Sequence, residues 1–584
     1  ELWAVGVVRV GTRYDRRARL RCSSRFLVVA ACCVLQTSFS HLALAAPVGL
    51  PGAVQPGHDR ALPETQLVPD VDFSVEAPHR SAVPRAVDEI RFKVVGIRVE
   101  GATTLNAESF RPLYQGLIGK EVSLGDIFDV ADGIEKAYRA AGYLLVRAYV
   151  PPQHVNDGIF TIRVVEGFVE GTSVEGGDAR TRDLVKAYLD PLVREKPLRG
   201  VTIERALLLA NDIPGVAATG VLSPSPNVPG AANLVVTVSQ PRVSGAFSAM
   251  NRGSHFTGTW TVSGTAAYRG IAGADELDAS LTWAPPDLNQ QLAGQLRYKT
   301  AIGNDGLSGS MLGAISHGAP GGTLGAAEIR TDSWALGPRL AYPLVRTRAD
   351  ALTLDGGFTV QEAKVKILGI GISHDKWRVA DISLGYSSRD FLTGSFTGTL
   401  DIAQGLPILG ATPNHSPDLS LAGRTTFTKG TWLVRYIKSF GMPLSLAVTG
   451  SGQYSFEPLI SGEQILFGGT QIGRGYEPGA ITGDSGAGGS LELRYDTRLE
   501  QLAIRNLEPY IFVDAAKVWN KARPASAGIP LDDFSIASTG IGLRFWFPYS
   551  IYLAVEGART LHAVPGSDNG KAVSKALVDV AITF

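Results

Sequence analysis

Beyond residue 240 the chain stops reading as helix and begins to alternate. Short runs with an apolar residue at every second position recur between clusters of Gly, Asn, Asp and Ser, as far as residue 584. Successive side chains of an extended strand point to opposite faces, so a period of two sorts them onto two surfaces. In 276–283, Leu277, Ala279, Leu281 and Trp283 share one face, and Glu276, Asp278, Ser280 and Thr282 share the other. Leu444, Leu446 and Val448 repeat the pattern, and Leu352, Leu354 and Phe358 stand beside Thr353 and Asp355. A face that carries charges in strand after strand does not suit the dry inside of a sandwich. It suits a wet lumen, with the apolar face turned to lipid. At ~10 residues a strand plus turns and loops, 241–584 holds roughly sixteen strands. The predicted fold of this part is a transmembrane β-barrel of about 16 antiparallel strands.

Composition agrees. Charged residues are 19% of the chain, below the usual share for a soluble domain, against 45% hydrophobic. After the first 40 residues there is no apolar run of ~18 or more, so no helical span is expected. A formal net charge of +0 argues against nucleic acid as a partner. All three cysteines, Cys22, Cys32 and Cys33, fall at the start of the chain. The predicted mature protein therefore has none, which removes disulfide, zinc-finger and thiol chemistry together.

Residues 1–45 read as an export signal. Arg13, Arg16, Arg17, Arg19, Arg21 and Arg25 precede an apolar core at 26–39, and Ala43-Leu44-Ala45 is a small-residue cleavage site. Val29-Ala30-Ala31-Cys32 also fits a lipoprotein box, behind a shorter apolar run. Residues 46–88 form a linker whose prolines, from Pro47 to Pro84, interrupt any long helix.

Two α+β units follow. In 89–167 the order is strand (92–99), helix (106–117), helix, then two strands (143–150 and 159–165). Ser123 with Asp126 makes a capping box that opens the second helix, and Ile127, Val130, Ala131, Ile134, Ala137 and Tyr138 fall on one of its faces. Gly142 ends it. In 168–240 the order repeats: strand 168–174, helices 181–192 and 202–212, strands 216–222 and 233–239.

Three motifs lie within the barrel part. Ile465-Leu466-Phe467-Gly468-Gly469-Thr470-Gln471-Ile472-Gly473-Arg474-Gly475-Tyr476 runs on to Gly483-Asp484-Ser485-Gly486. Its glycines let a loop fold back tightly, with Arg474 as the one long cationic anchor. Phe512-Val513-Asp514-Ala515-Ala516 places an acid within an apolar strand. Asn251-Arg252-Gly253-Ser254-His255-Phe256-Thr257-Gly258 reads by itself as a hairpin turn.

These motifs resemble those of the superfamily of barrel-assembly and two-partner secretion proteins. Within it the chain most resembles the two-partner secretion (TpsB-type) transporters that export haemolysins and filamentous haemagglutinins, over about 90–584. The resemblance implies that the two α+β units are POTRA domains, and that the loop tip Gly473, Arg474, Gly475 and Tyr476 folds into the lumen. There Arg474 would pair with Asp514, which follows Phe512 on the wall. The family's usual tip has Val where this chain has Gly473, and its wall motif has Gly where this chain has Ala516. Residues 251–258 look like the turn after the first barrel strand of the transporter branch. Phe584, ending the alternation Val578-Asp579-Val580-Ala581-Ile582-Thr583, looks like the aromatic signal by which outer-membrane barrels are recognised for insertion.

The implied function is capture of a large unfolded exoprotein in the periplasm and its passage through the barrel. The capture edge would be the second strand of the second POTRA domain, at Val216, Val221 and Leu222. The implied partners are the exoprotein, outer-membrane lipid, and the assembly machinery that inserts the barrel. No cofactor or metal is expected. Alternatives are an outer-membrane assembly factor, an outer-membrane enzyme and a porin. Gly483-Asp484-Ser485-Gly486 copies a serine-protease signature, but no histidine sits in the context such a triad needs. Residues 566–571 resemble a phosphate loop one residue short, and read better as a turn.

Overall fold

The computed structural model describes residues 73–75, 90–155, 157–441, 443–499, 504–523, 532–563 and 572–584. The expected export signal lies outside them, as does the linker apart from a short strand, β1 (Phe73–Val75). The phosphate-loop-like residues 566–571 also lie outside.

The first α+β unit runs through β2 (Arg91–Lys93), β3 (Gly96–Glu100), a 3-10 turn at Ala107–Phe110 leading into α1 (Arg111–Tyr114), β4 (Glu121–Ser123), α2 (Leu124–Ala140), β5 (Arg147–Tyr149) and β6 (Ile159–Val165). The capping box forms as the spacing predicts. The Ser123 hydroxyl accepts from the Asp126 N–H at 3.2 Å, and the Asp126 carboxylate accepts from the Ser123 N–H at 2.8 Å. The apolar face of α2 packs Ile127, Val130, Ile134 and Tyr138 into one core with Phe160, Ile162 and Val164 of β6. Glu135 is buried on the same helix. It accepts the Ala148 N–H at 3.0 Å and is flanked by Arg139 at 3.1 Å and Arg147 at 3.3 Å, so the buried charge is paired.

Two strands of this unit are shorter than the sequence suggests. The 92–99 run splits into β2 and β3, which lie in different sheets, because the Val94 and Val95 N–H groups turn aside to the carbonyls of Lys120 and Gly158. The 143–150 run contracts to β5. Its first N–H, on Tyr143, caps α2 through the Tyr138 carbonyl, and Pro151-Pro152 ends it.

The second unit comprises β7 (Phe168–Gly176), α3 (Ala179–Arg194), α4 (Gly200–Asn211), β8 (Ala217–Pro224) and β9 (Ala231–Ser239). The strand–helix–helix–strand–strand order repeats, around a core that includes Val185, Leu189, Ile203, Leu207, Leu234 and Val236. Its sheet has the order β1-β8-β9-β7, so the linker strand β1 lies beside β8, in parallel. Val216 and Leu222 are buried in the core of the unit, at 7% and 1% exposure. The side of β8 open to a partner is therefore its main chain, and over Gly220–Leu222 that edge is taken by β1.

The barrel starts at once, with β10 (Val243–Met250), β11 (Thr261–Arg269), β12 (Asp275–Trp283), β13 (Gln291–Ala301), β14 (Ser308–Gly318), β15 (Arg330–Arg346), β16 (Asp350–Ile367), β17 (Ile370–Phe391), β18 (Gly394–Gly405), β19 (Thr428–Ser439) and β20 (Leu444–Ser455). A short internal pair, β21 (Ile465–Phe467) and β22 (Ile481–Gly483), leaves the wall. The wall resumes with β23 (Ser485–Tyr495), its interrupted continuation β24 (Thr497–Leu499), β25 (Ile504–Trp519), β26 (Phe534–Trp546), β27 (Ile551–Thr560) and β28 (Ser574–Thr583). Neighbours pair antiparallel throughout, and β28 returns to β10, closing a 16-stranded barrel among the described residues. Past the last register pair, Gly245 and Phe584 exchange main-chain hydrogen bonds of 2.9 and 3.0 Å.

The alternation divides lipid from lumen as expected. On β25, Ile511 and Val513 are exposed outward, while Tyr510, Phe512 and Asp514 are buried inward. The second α+β unit docks on one end of the barrel. Arg346 holds Asp212 through two charged hydrogen bonds of 2.5 and 2.7 Å, and Arg180 reaches the Ala272 carbonyl at 2.8 Å. The hairpins at the far end form the opposite mouth.

Candidate functional site

The glycine-rich segment does turn inward. β21 and β22 pair as Ile465↔Gly483 and Phe467↔Ile481, and the chain between them lies against the inner faces of β23 and β25–β27. Phe467, Ile472, Tyr476 and Ile481 cluster with Ala516, Val518 and Ile536 of the wall. This apolar seat anchors the loop, and the tip beyond it is polar.

The tip is bound through its main chain as well as its charge. The Arg474 N–H donates to Asp514 at 3.2 Å, and the Gly475 N–H donates to the Ser538 hydroxyl at 3.1 Å. That hydroxyl is in turn hydrogen-bonded to Asp514. The Tyr476 hydroxyl donates to the Ala537 carbonyl at 3.0 Å and accepts the His562 N–H at 3.2 Å. Gly475 lies so close to the wall that a Cβ would meet Ser538 Cβ at 3.0 Å.

The Arg474 guanidinium has three acids around it. Nη1 donates to Glu492 at 2.8 Å and to Glu556 at 3.2 Å, and Nη2 donates to the Ser490 hydroxyl at 3.2 Å. Asp514 approaches only Nε, at 3.5 Å. The guanidinium also stacks over the Phe512 ring, 3.5 Å from its centroid. The Arg474–Asp514 contact is therefore present, but the paired hydrogen bonds of a fork-to-fork bridge are not. The terminal nitrogens go to Glu492 and Glu556 instead. All four ionic side chains are buried, at 6% exposure or less. Around them Arg544 and Arg494 share Glu492, at 2.8 and 2.6 Å, so the acids are not left uncompensated.

The turn motif after the first strand joins the same network. Arg252 holds Glu556 at 3.0 Å and Asp579 of β28 at 2.9 Å. Glu556 thus accepts from Arg252, Arg474 and, at 2.7 Å, the Tyr510 hydroxyl. His255 contacts Glu477, just beyond the tip, at 2.7 Å. The 251–258 segment is consequently a brace between the barrel seam and the inward loop.

Gly483-Asp484-Ser485-Gly486 has a structural role. Asp484 is fully buried at the base of the loop. It accepts from Leu459 N–H at 3.0 Å, Gln464 at 3.0 Å, Lys521 N–H at 2.8 Å, and both Nη atoms of Arg523 at 2.9 and 2.7 Å. The Ser485 hydroxyl accepts the Ser455 N–H at 3.0 Å. Arg523 continues to the Leu421 carbonyl at 2.8 Å and the Leu459 carbonyl at 3.2 Å. This staples together three hairpin loops at the mouth far from the α+β units. Beneath them Trp377, Leu419, Phe427, Leu459 and Ile460 form a small buried core.

Gly473 takes φ +84, and a Cβ there would meet Ile536 Cδ1 at 2.5 Å. The valine usual at this position in the family does not fit this loop, because a β-branched residue is strained at positive φ and would overlap Ile536. Gly473→Val is expected to destabilise the folded barrel by about 1–3 kcal/mol. The check is the temperature at which the compact band is lost on unheated-to-heated gel electrophoresis. An unchanged midpoint would mean that the loop is not seated as described.

Similarity to known proteins runs along the same parts. The model of the family described as haemolysin secretion/activation protein ShlB/FhaC/HecB matches residues 230–545, and that of the ShlB-type POTRA domain matches residues 92–167. The heme/hemopexin transporter protein HuxB of Haemophilus influenzae (strain 86-028NP) is 22% identical, over 73% of this chain and 77% of its own. The hemolysin transporter protein HpmB of Proteus mirabilis is 24% identical, over 73% and 75%. Among solved structures, CdiB from Escherichia coli superposes with a TM-score of 0.66 at 19% identity, over 87% of this chain and 93% of that one. A BamA fragment from Haemophilus ducreyi gives 0.52 at 14% identity, over 84% and 100%. The first α+β unit is a POTRA domain, the barrel is of the outer-membrane kind, and, with more than half of its length matched, the chain belongs to the ShlB/FhaC/HecB haemolysin secretion/activation family.

Proposed function

We propose that this protein is the outer-membrane half of a two-partner secretion system, which takes up one large unfolded exoprotein in the periplasm and passes it through its barrel. The observation that carries the reading is the loop 468–480, which folds into the barrel against the wall and is held there by non-covalent contacts alone, polar and ionic at Arg474 and Gly475 and apolar at Ile472 and Tyr476. A loop held in this way can leave when something replaces it. Relatives named as transporters, HuxB and HpmB, support the same reading.

The second α+β unit is a second POTRA domain in this reading, and its β8 edge is where the client is caught by strand addition. Main-chain hydrogen bonds there give affinity without a strict sequence demand. The geometry favours β8 over its counterpart β5, which is three residues long and ends at Pro151-Pro152, while β8 has eight. Between this unit and the barrel lies a cleft of about 510 Å³, lined by Asp212, Arg297, Arg339, Arg346 and Asp355, which would admit an extended polar segment to the lumen. Folding of the client outside would drive the passage. The apolar outer face contacts lipid, and Phe584 serves the machinery that inserts the barrel. The protein transports without catalysis.

Deleting the gene and comparing medium and outer membrane by mass spectrometry tests the reading. Loss of one large exoprotein, with other barrels intact, is expected and names the client. Broad loss of outer-membrane barrels would point instead to an assembly factor.

A further inference from the structure

β8 is one of the two edge strands that the second α+β unit builds from its own residues, the other being β7, yet it is not bare. β1, contributed by the linker, lies against it in parallel register: Phe73↔Gly220, Ser74↔Val221 and Val75↔Leu222. The remainder of β8 continues beyond this contact in both directions, from Ala217 to Pro224. A segment of this chain therefore occupies the strand edge assigned above to the client. It uses the same main-chain groups that strand addition would use.

We propose that β1 is a resident stand-in for the exoprotein, covering the capture edge when no client is present and leaving when one binds. The inference rests on the reading of β8 as the capture edge. Three features fit this use. An uncovered edge is a template for unwanted pairing, so a cover protects it. The cover is short and parallel, and parallel pairing is the weaker kind, whereas an incoming segment can pair along all of β8. The cover is also tethered. It returns from a high local concentration as soon as the client moves on, which resets the edge. The client chemistry that fits is an extended, unfolded polypeptide segment long enough to pair along β8.

The test uses the full chain in cells. Ser74→Cys with Val221→Cys places two thiols on register partners, and the sequence holds no cysteine after Cys33 to compete with them. A photo-crosslinking amino acid at Thr219, an exposed position on β8, reports the client, identified as the exoprotein lost from the medium on gene deletion. With the bridge formed, crosslinking at Thr219 and export are both expected to fall at least tenfold, and reductant is expected to restore both. Crosslinking and export at the parental level with the bridge fully formed would overturn the stand-in, and would leave β8 as the capture edge. A loss that reductant does not reverse would overturn it too. No crosslink from Thr219 in the parental background during active export would overturn the capture edge itself, and the stand-in with it.

Discussion

Arg474→Ala is expected to reduce export to background, at least a hundredfold, while the barrel remains inserted. The side chain joins three acids on three wall strands, β23, β25 and β27, to the tip of the loop, so its loss removes the charged part of the tip's attachment. Truncating one partner of a buried ionic group costs about 3–5 kcal/mol, because the remaining charges stay buried. Here the cost to the barrel is smaller, since Arg544 and Arg494 still serve Glu492 and Arg252 still serves Glu556. The effect therefore falls on the loop's position more than on the wall. Arg474→Lys should not rescue export, since a single ammonium cannot span Glu492, Glu556 and the Ser490 hydroxyl or stack on Phe512. The readouts are exoprotein in the medium and heat-modifiable migration of the barrel. Normal export from Arg474→Ala would remove the loop from the mechanism. A charge swap, Arg474→Asp with Asp514→Arg, should fail to restore export, because Glu492 and Glu556 would then face a carboxylate. Rescue by that swap would mean that Asp514 is the only counter-ion that matters.

Arg523→Ala is expected to open the far mouth. The guanidinium is the one charged partner among the donors that Asp484 is seen to engage, and it also holds the Leu421 and Leu459 carbonyls. Without it, a fully buried carboxylate keeps only neutral donors, again about 3–5 kcal/mol of lost stabilisation, confined to loops with one small core beneath them. Purified barrel in planar bilayers should show conductance several-fold above the parent, and cells should become sensitive to an antibiotic too large for ordinary porins. Parental conductance from Arg523→Ala would show that the loop core alone keeps the mouth shut. Asp484→Asn provides a control of smaller effect, since an amide can accept from part of the same donor set.

How much of this was legible in the sequence varies with the range of the interaction that decides it. The capping box at Ser123 and Asp126, the face of α2 and the lipid–lumen alternation on β25 are local patterns, and the structure bears them out. The two contracted strands of the first unit depended on partners elsewhere: the Tyr138 carbonyl, Lys120 and Gly158. Arg474 announced itself through its glycines. Its partners Glu492 and Glu556 did not, because each is only an acid on the polar side of an alternating strand, 18 and 82 residues away. Closure of the barrel brings them to one point, and no local spacing encodes closure. β1 was out of reach for a different reason. Three residues within a proline-rich linker carry no period at all, and only the edge they cover makes them a strand.

The strand lengths have one more consequence, for the bilayer. β10 and β11 have eight and nine residues, while β17 has 22. At ~3.4 Å per residue and a tilt near 45°, β17 rises roughly 50 Å and β11 only about 20 Å, against an apolar band of about 25 Å. The protein is thus a tube cut obliquely. Lipid must thin where the first strands pass, and on the opposite flank the β16–β17 hairpin stands well clear of the membrane. A polypeptide leaving the mouth would meet a parapet on one side and open water on the other, so the first part to fold would be turned away from that wall.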